Sequence, residues 1–488
     1  MDVSVPQQQW RAPQIACQAV VMSLTEVYFE LVYPVFPLFH QPTYLRKIAR
    51  GEHLTERHLF SATMALCALV SARIQDQALF NPSHNMSELT EVPSETFYEA
   101  AIQASTDIVL RTQQNFDSMR TCALLALTAV QYGKIREMQA FLGRYHTFVA
   151  IEGLQDEANW PANTGIVETE ERRRLVSLLL SFLSLQLLME RKFWSMYTFE
   201  VYVSIVWNGM LRVREQQINV SYPTELDDDL FSDRGYGRQV QSPAYARFSP
   251  GNREGEVSAN SWLCGWNFTT DLYRLLEHII TNFRDRQKHQ GTFPTNLFID
   301  GCVTTIPTVR DAVMQLYFNL PQCFKDVPEV TCEPKSDRFG FQAANITATV
   351  QLVRMMLFAS GGGSIEDRCK IASEVIEAFS RIPVTYLRAI SSPLLHHLAG
   401  IGSLLGSVFG ESMSEMAYEQ VRVVLLALAQ LLENLEHGIH STISAQRLRD
   451  LVARIDEYMN NLRDSPRDLP AQLTNDIFAD WPWSLDYT

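Results

Sequence analysis

The sequence predicts an all-α protein, a large multi-helix domain of antiparallel helices in two helical blocks with a short disordered, acidic and aromatic C-terminal tail. Apolar residues recur at helical spacing along most of the 488 residues. Strand-like alternation is confined to stretches such as Phe199 to Trp207 and Gln217 to Ser221. A polar segment rich in glycine and proline, residues 232–260, separates the two blocks and is typical of a loop or linker.

The first block begins with an apolar helix that runs into a proline-rich turn. Pro34 and Pro37 each remove a backbone donor and push the preceding residue out of the helical region. The aromatic residues around them can pack the turn onto a core, with Phe36 and Phe39 as the expected anchors. This turn should therefore fix how the first two helices meet.

Pro42 marks the start of the second helix, for which Thr43 is the expected N-cap. Apolar residues at helical spacing then predict the other helices of this block. These helices are expected at 58–78, 94–112, 119–132, 134–152 and 168–193.

The second block is interrupted twice, between Pro321 and Pro334 and at the glycines 361–363. No strand precedes these glycines and no lysine follows them, so they indicate a helix stop and not a phosphate-binding loop. Tyr418 to Leu435 is apolar on one face, and a domain core is favoured there over a dimer seam. The predicted segments of the chain are 1–20, 21–231, 232–260, 261–464 and 465–488.

Composition limits the function. A chain with 46% apolar and 20% charged residues is globular, and its net charge of −14 argues against coating nucleic acid unaided. A DNA-bound complex in which another polypeptide supplies the basic surface stays open. No signal peptide is evident at the start, and the apolar run 175–189 is too short and too polar to span a bilayer.

The eight cysteines are scattered, without a CxxC pair and without a histidine at ligand spacing from two of them. A structural zinc site usually contains at least one such closely spaced pair. We therefore expect buried, reduced thiols, and no metal or other cofactor.

The segment from Tyr28 to Leu45 resembles the opening of the regulatory "middle homology" domain of fungal binuclear zinc cluster transcription factors. The matching positions are Tyr28, Phe29, Pro34, Phe36, Pro37, His40, Pro42 and Thr43. Three later stretches resemble the same family in the expected order. They are a helix and Gly-Leu turn at Gly143, Arg144, Gly153 and Leu154, an acidic run followed by Arg172, Arg173 and Arg174, and a turn with Pro223, Asp227 and Asp228.

Gly153 is expected to supply the left-handed residue that ends its helix. The family usually carries two tryptophans after the arginine run, where this chain has Val176 and Ser177. Its DNA-contacting module needs six closely spaced cysteines, which this sequence does not contain. Either the module is natively lacking, or the sequence is a fragment or a gene model missing its first exon. The resemblance implies a nuclear transcription regulator of a metabolic or secondary-metabolite gene set, acting alone, as a homodimer or through a DNA-binding partner.

The tail interleaves large aromatic residues with aspartates, which is the composition of an activation segment that folds onto a coactivator groove. Its defining residues are Asp476, Phe478, Asp480, Trp481, Trp483 and Tyr487. The alternative is that both tryptophans dock back on the helical body as a structural staple.

The main rival reading is an all-α, magnesium-dependent enzyme of the terpene synthase type, suggested by the aspartate run 227–229. Pro223 before this run and the glycine-rich segment after it place the aspartates in a loop, so a solvated turn is favoured. His396 and His397 are adjacent on a predicted helix, point about 100° apart and do not readily chelate one ion. The arginines 172–174 are expected to pair with the nearby glutamates at helical spacing.

Overall fold

A computed structural model describes residues 10–106, 115–175, 195–207, 210–212, 214, 220–236, 261–288, 313–361, 365–390, 414–436 and 444–464. The fold is all-α, as the sequence predicts. The strands in these ranges are two short ones, Phe231–Ser232 and Gly235–Tyr236, which pair in antiparallel fashion. The chain divides into two compact units, one of Met1–Met196 with Gln217–Phe248 and one of Tyr197–Gln216 with Ser249–Thr488. The five segments drawn from the sequence remain predictions.

The first unit is built from eight α-helices in the ranges described. They are α1 (Gln18–Leu31), α2 (Gln41–Ala49), α3 (Arg57–Gln75), α4 (Met86–Leu89), α5 (Ser94–Thr106), α6 (Phe116–Gln131), α7 (Ile135–Ile151) and α8 (Ile166–Leu175). Short 3₁₀ turns lie at Glu52–Leu54, Glu157–Asn159 and Asp228–Leu230.

Helix α3 is the centre of this unit. Every residue from Leu59 to Ile74 is buried, and the helix packs against α1, α5 and α6. Many of these residues are alanine or other small side chains, which let neighbouring helices approach closely. An apolar helix without a solvent face belongs inside a domain.

The proline-rich turn closes on Tyr28. Its hydroxyl donates to the carbonyl oxygen of Phe36 at 2.6 Å and accepts from the backbone N–H of Leu38 at 3.2 Å. Phe36 is 7% exposed and Phe39 is fully buried, so both expected anchors lie in the core.

The predicted cap of α2 is wrong. The helix begins at Gln41, its N-cap is His40, and Thr43 lies inside the first turn. Pro42 fits the first turn because no helical partner is needed there for its missing N–H, so the helix starts before the proline. The Thr43 hydroxyl instead lies 2.8 Å from Nδ1 of His40.

The second unit contains seven further α-helices with the bounds given below, the first of which starts at the end of the first unit, and residues 313–318 are also helical. These seven helices are α9 (Ser195–Trp207), α10 (Leu263–Lys288), α11 (Pro334–Gly361), α12 (Ile365–Ser380), α13 (Val384–Ile390), α14 (Glu415–Glu436) and α15 (Ser444–Asp464). Helix α11 packs against α10, α12 and α13, while α14 packs against α12 and α15. The predicted break before Pro334 is confirmed, and α11 ends at Gly361, the first of the three glycines.

The strand-like alternation of Phe199 to Trp207 is misleading, because these residues are helical. Glu200 and Ser204 are as fully buried as the apolar residues between them. A helix with polar side chains inside the protein loses the amphipathic stripe on which a periodicity argument depends.

The apolar face of α14 is a domain core, as favoured from the sequence. Its five face residues are at most 2% exposed, and the helix packs on α12 and α15. They are Val421, Leu425, Leu428, Leu432 and Leu435.

The expectation of uniformly buried thiols is wrong for three of the seven cysteines in the described ranges. Cys17, Cys323 and Cys332 are exposed, whereas the other four are buried. Within the described residues, no cluster of three potential metal-binding side chains occurs, and no helix has the length and apolar character needed to cross a membrane.

Candidate functional site

The three consecutive arginines of α8 have different partners. Arg172 binds Glu168, one turn earlier, at 2.5 Å, and Arg173 binds Glu170 at 2.8 Å. These are the helical-spacing pairs expected from the sequence. Arg173 also contacts Glu157 of the preceding 3₁₀ turn at 2.9 Å.

Arg174 instead pairs across the fold with Asp228. The guanidinium is fully buried, and its Nη2 lies 2.7 Å from Oδ1 of Asp228. The other oxygen, Oδ2, accepts from the hydroxyl of Tyr33 at 2.6 Å and from the backbone N–H of Gln41 at 2.7 Å. The prediction of a solvated turn is therefore wrong for Asp228, which is 4% exposed. A local reading could not find a partner 54 residues away.

His40 connects the ion pair of Arg174 and Asp228 to a second ion pair, formed by Arg120 and Glu171. Its Nε2 lies 2.7 Å from the carbonyl oxygen of Asp228, and its backbone N–H donates to Oε1 of Glu171 at 2.7 Å. The other oxygen of Glu171 lies 2.7 Å from Nη2 of Arg120, on α6. Arg120 also pairs with Asp117 at 2.6 Å.

We call the set Tyr33, His40, Arg120, Glu171, Arg174 and Asp228 the buried ion cluster. Arg120 additionally donates from Nε to the carbonyl oxygen of Leu38 at 3.0 Å, and its guanidinium lies over the rings of Phe39 and Phe116. Buried charges are tolerated when they are paired and hydrogen-bonded. Each charge of the cluster is paired, although Nε of Arg174 is buried without a hydrogen-bond partner.

The protonation of the cluster follows from these contacts. Burial opposes the charged form of Asp228, but the nearby guanidinium of Arg174 and its hydrogen bond outweigh burial and lower the pKa of this carboxyl below its ordinary value of 3.8. Burial likewise opposes the charge of Arg174 and of Arg120, yet the carboxylates of Asp228 and Glu171 raise the pKa values of their respective partners. Arg120, Arg174 and Asp228 are therefore ionised at neutral pH.

The arrangement acts as a structural clamp, because its ion pairs and hydrogen bonds hold distant segments of the chain together. It joins the proline-rich turn, α6, α8 and the 3₁₀ turn Asp228–Leu230, which are far apart in the sequence. The carboxylate of Asp228 has hydrogen-bond partners on both oxygens, so it is not available to a metal ion. The cluster contains no cysteine or serine nucleophile.

The segment around Asp228 is further fixed to α8. The backbone N–H of Thr224 donates to Oε2 of Glu170 at 2.8 Å, and Oδ1 of Asp233 accepts from the N–H of Val167 in the first turn of α8 at 3.0 Å. Pro223 is buried, and Asp227 is the N-cap residue of the 3₁₀ turn. Pro223 and Asp227 thus shape the backbone around Asp228, the third position predicted in this turn.

The Gly-Leu turn after α7 has the predicted conformation. Gly153 has φ +58°, and the N–H of the buried Leu154 bonds back to the carbonyl oxygen of Val149. This bond is the hallmark of the Schellman helix end. Gly143 lies within α7, and Nη2 of Arg144 is 3.5 Å from the carbonyl oxygen of Ser105.

Three of the four stretches that resemble the family therefore meet in or around the buried ion cluster. They are the segment Tyr28 to Leu45, the arginine run 172–174 and the turn that contains Pro223 and Asp228. Tyr28 and Phe29 are buried at the end of α1, and Pro34 and Pro37 are buried in the turn that presents Tyr33 and His40. Sequence reasoning missed Arg120, although an arginine amid the apolar residues of α6 was a usable signal because unpaired arginines are rarely buried. His396, His397 and the tail residues 465–488 lie outside the described residues.

In a comparison with protein families, the model for the fungal specific transcription factor domain matches residues 25–280, just over half of the chain. No curated protein and no solved structure matches the chain. The matched range contains all residues of the buried ion cluster.

Proposed function

Because the chain belongs to the family of the fungal specific transcription factor domain, we propose that it regulates transcription of a metabolic or secondary-metabolite gene set in the nucleus. The family match over residues 25–280 is the observation that carries this proposal. The buried ion cluster supports it, because three of the four sequence stretches that resemble the family meet around one clamp. In this proposal the helical body is the regulatory part of the protein.

Contact with a specific DNA sequence comes from outside these residues in this proposal. The chain has no set of six closely spaced cysteines, and a net charge of −14 disfavours phosphate binding. A DNA-binding partner, on which the chain acts as a co-regulator, or a further zinc cluster segment would supply the contact. A homodimer is compatible with either arrangement.

The tail recruits the transcription machinery or a coactivator in this proposal. Its aromatic residues provide large contact area, and its aspartates steer the encounter with a basic groove. The rival enzyme reading is disfavoured by the contacts of Asp228, because a magnesium-binding aspartate run needs carboxylates that are free to point at the ion.

The test is a reporter experiment. Residues 465–488 fused to an unrelated DNA-binding domain should activate a reporter gene, and the double variant Trp481→Ala, Trp483→Ala should abolish that activity because aromatic anchors dominate such interfaces. Single aspartate variants should weaken activation only in part, through the encounter rate.

A matched comparison uses the whole chain fused to the same DNA-binding domain, with and without residues 465–488. Activation that survives removal of the tail would assign the activity to the helical body. A silent tail fusion, together with a lower melting temperature of the shortened chain, would identify the tail as a structural staple.

A further inference from the structure

Helix α14 carries an apolar strip on the side opposite its buried face. Met416 is 72% exposed and Val423 is 60% exposed, and both lie among the largest exposures of any apolar side chain in the described ranges. Ala427 is also exposed and Leu431 is half-buried. These four residues, spaced by seven, four and four, lie on one side of the helix, with the exposed Gln420 between Met416 and Val423. We call them the α14 strip.

Helices α14 and α15 form an antiparallel pair whose register is fixed by ion pairs. Asp456 of α15 accepts from the Tyr418 hydroxyl at 2.7 Å and from Nε of Arg422 at 3.1 Å, both near the start of α14. Arg449, earlier in α15, binds Glu433, late in α14, at 2.5 Å. Extending this register by the eight residues from Asp456 to the end of α15 places Asp464 beside the first turn of α14.

Asp464, the last described residue, therefore lies level with the first turn of α14, which carries Met416 at one end of the strip. The strip is about 22 Å long from Met416 to Leu431, at 1.5 Å per helical residue. Phe478 follows Asp464 by 14 residues, which span at most about 46–50 Å when extended. The aromatic residues of the tail can thus reach every position of the strip, and the tether gives them an effective concentration of the order of millimolar.

We propose that the α14 strip is the docking surface for the chain's own residues 476–487, which cover it when no coactivator is bound. This inference rests on the proposed function only for the role of the tail, not for the contact itself. The docked tail buries its aromatic side chains on the strip and withholds them from a coactivator. Activation then requires displacement of the tail.

The charges make this contact weak and displaceable. Residues 465–488 contain four aspartates and one arginine, and the exposed Glu415 and Glu419 flank the strip near Met416. Like charges repel, so apolar contact and the tether must hold the tail in place. Salt screens the repulsion and should strengthen docking, whereas it weakens binding of the same acidic tail to a basic coactivator groove.

The test places the photo-crosslinking amino acid benzoylphenylalanine at position 423 of the whole chain. Trypsin cleaves after Arg467, so a docked tail gives a crosslinked peptide of residues 468–488. Its yield should rise when salt is increased from about 50 to about 500 mM, because the Debye length falls over that range. The matched control carries the same amino acid at Met86, an exposed methionine of the first unit, and should give no tail peptide.

Mixing isotopically labelled and unlabelled chains separates contact within a chain from contact between copies. Crosslinks between copies, or no crosslink to residues 468–488, would overturn the proposal.

In the reporter fusion of the whole chain, Met416→Asp with Val423→Asp should raise activation severalfold, while Met86→Asp should leave it unchanged. Unchanged activation by the strip variant, with an active tail fusion, also contradicts the proposal. A crosslink within the chain combined with a silent tail fusion would support docking and refute the activation function.

Discussion

Adjacent arginines of α8 show how position within the fold decides what a residue does. Arg172 and its partner Glu168 lie one turn apart, and the glutamate is 45% exposed. Arg174 and Asp228 are 54 residues apart in sequence, and both are almost inaccessible to water. Arg172 itself is 11% exposed, so this pair has one partner in contact with water. Such a pair contributes less to stability than a fully buried pair, which leaves an uncompensated charge when one partner is removed.

Arg174→Met should therefore lower the free energy of unfolding by about 3–5 kcal/mol, because Asp228 stays buried without its counter-charge. Arg172→Met is the matched control on the same helix and should cost less, because the carboxylate of Glu168 stays in contact with water. Urea denaturation followed by circular dichroism measures both. Equal losses for the two variants would contradict the assignment of Arg174 to a buried clamp.

The pH dependence of the free energy of unfolding should differ between the wild-type protein and Arg174→Met. The pKa of Asp228 is lower in the folded chain than its ordinary value of 3.8, so its contribution is present above that pH and is lost as the pH falls through the folded pKa. In Arg174→Met, burial without the guanidinium raises the pKa of Asp228 instead.

Protonation then relieves the buried charge, so the stability difference between wild type and Arg174→Met should shrink as the pH is lowered from about 7 to about 4. Denaturation midpoints at several pH values measure it. A difference that stays constant or grows would show that Asp228 does not ionise as inferred.

At the scale of elements, the proline-rich turn connects a local sequence signal to the clamp. Prolines and aromatic residues fix the path of the backbone between α1 and α2, and the Tyr28 hydroxyl satisfies two backbone groups of the turn. This path places Tyr33 and His40 against Asp228. Loosening the turn should therefore disturb the clamp as well as the core.

Phe36→Ala should cost about 3–5 kcal/mol, since it removes a large buried side chain from the core. Val35→Ala, at the half-buried neighbouring position, should cost about 1 kcal/mol. Thermal or urea unfolding of both variants provides the comparison. An unchanged melting midpoint for Phe36→Ala would show that the turn is peripheral.

The glycine inside α7 and the glycine just after its end should respond in opposite directions to alanine. Gly153→Ala forces a side chain into the left-handed region at φ +58° and should cost about 1–2 kcal/mol. Gly143 lies within the helix, and a Cβ there meets no atom within 4 Å, so Gly143→Ala should stabilise by about 0.5–1 kcal/mol. Melting temperatures that shift in the same direction would contradict this account.

At the scale of the whole molecule, the chain divides into two units, and the first of them is discontinuous in sequence. The chain leaves the first unit after Met196 and returns at Gln217, bringing Asp228 to the clamp. The family match ends at residue 280, within α10 of the second unit, so the family boundary and the unit boundary differ.

The purified chain should bind no duplex DNA specifically and hold no stoichiometric zinc. The reasons are the net charge of −14 and the absence of paired cysteines from the sequence. Elemental analysis and titration of labelled duplexes at stated salt measure the two properties. Two zinc ions per chain would overturn this prediction.

The sequence by itself determined the all-α class, the proline-rich turn and most helix positions in the first unit. The predicted helices 58–78, 119–132 and 134–152 agree with α3, α6 and α7 to within a few residues. Helical periodicity, proline and a left-handed glycine act over a few neighbouring residues, so they can be read locally.

Only the tertiary structure decided which charges are buried together. Arg174 and Arg172 are the same residue type in one run, and Asp228 stands between two other acidic residues, so composition and spacing assign them equivalent roles. Their difference arises because the turn at Tyr33 lies 195 residues from Asp228 in sequence but within hydrogen-bonding distance in the fold. Burial and ion pairing depend on such distant contacts, which a local pattern does not encode.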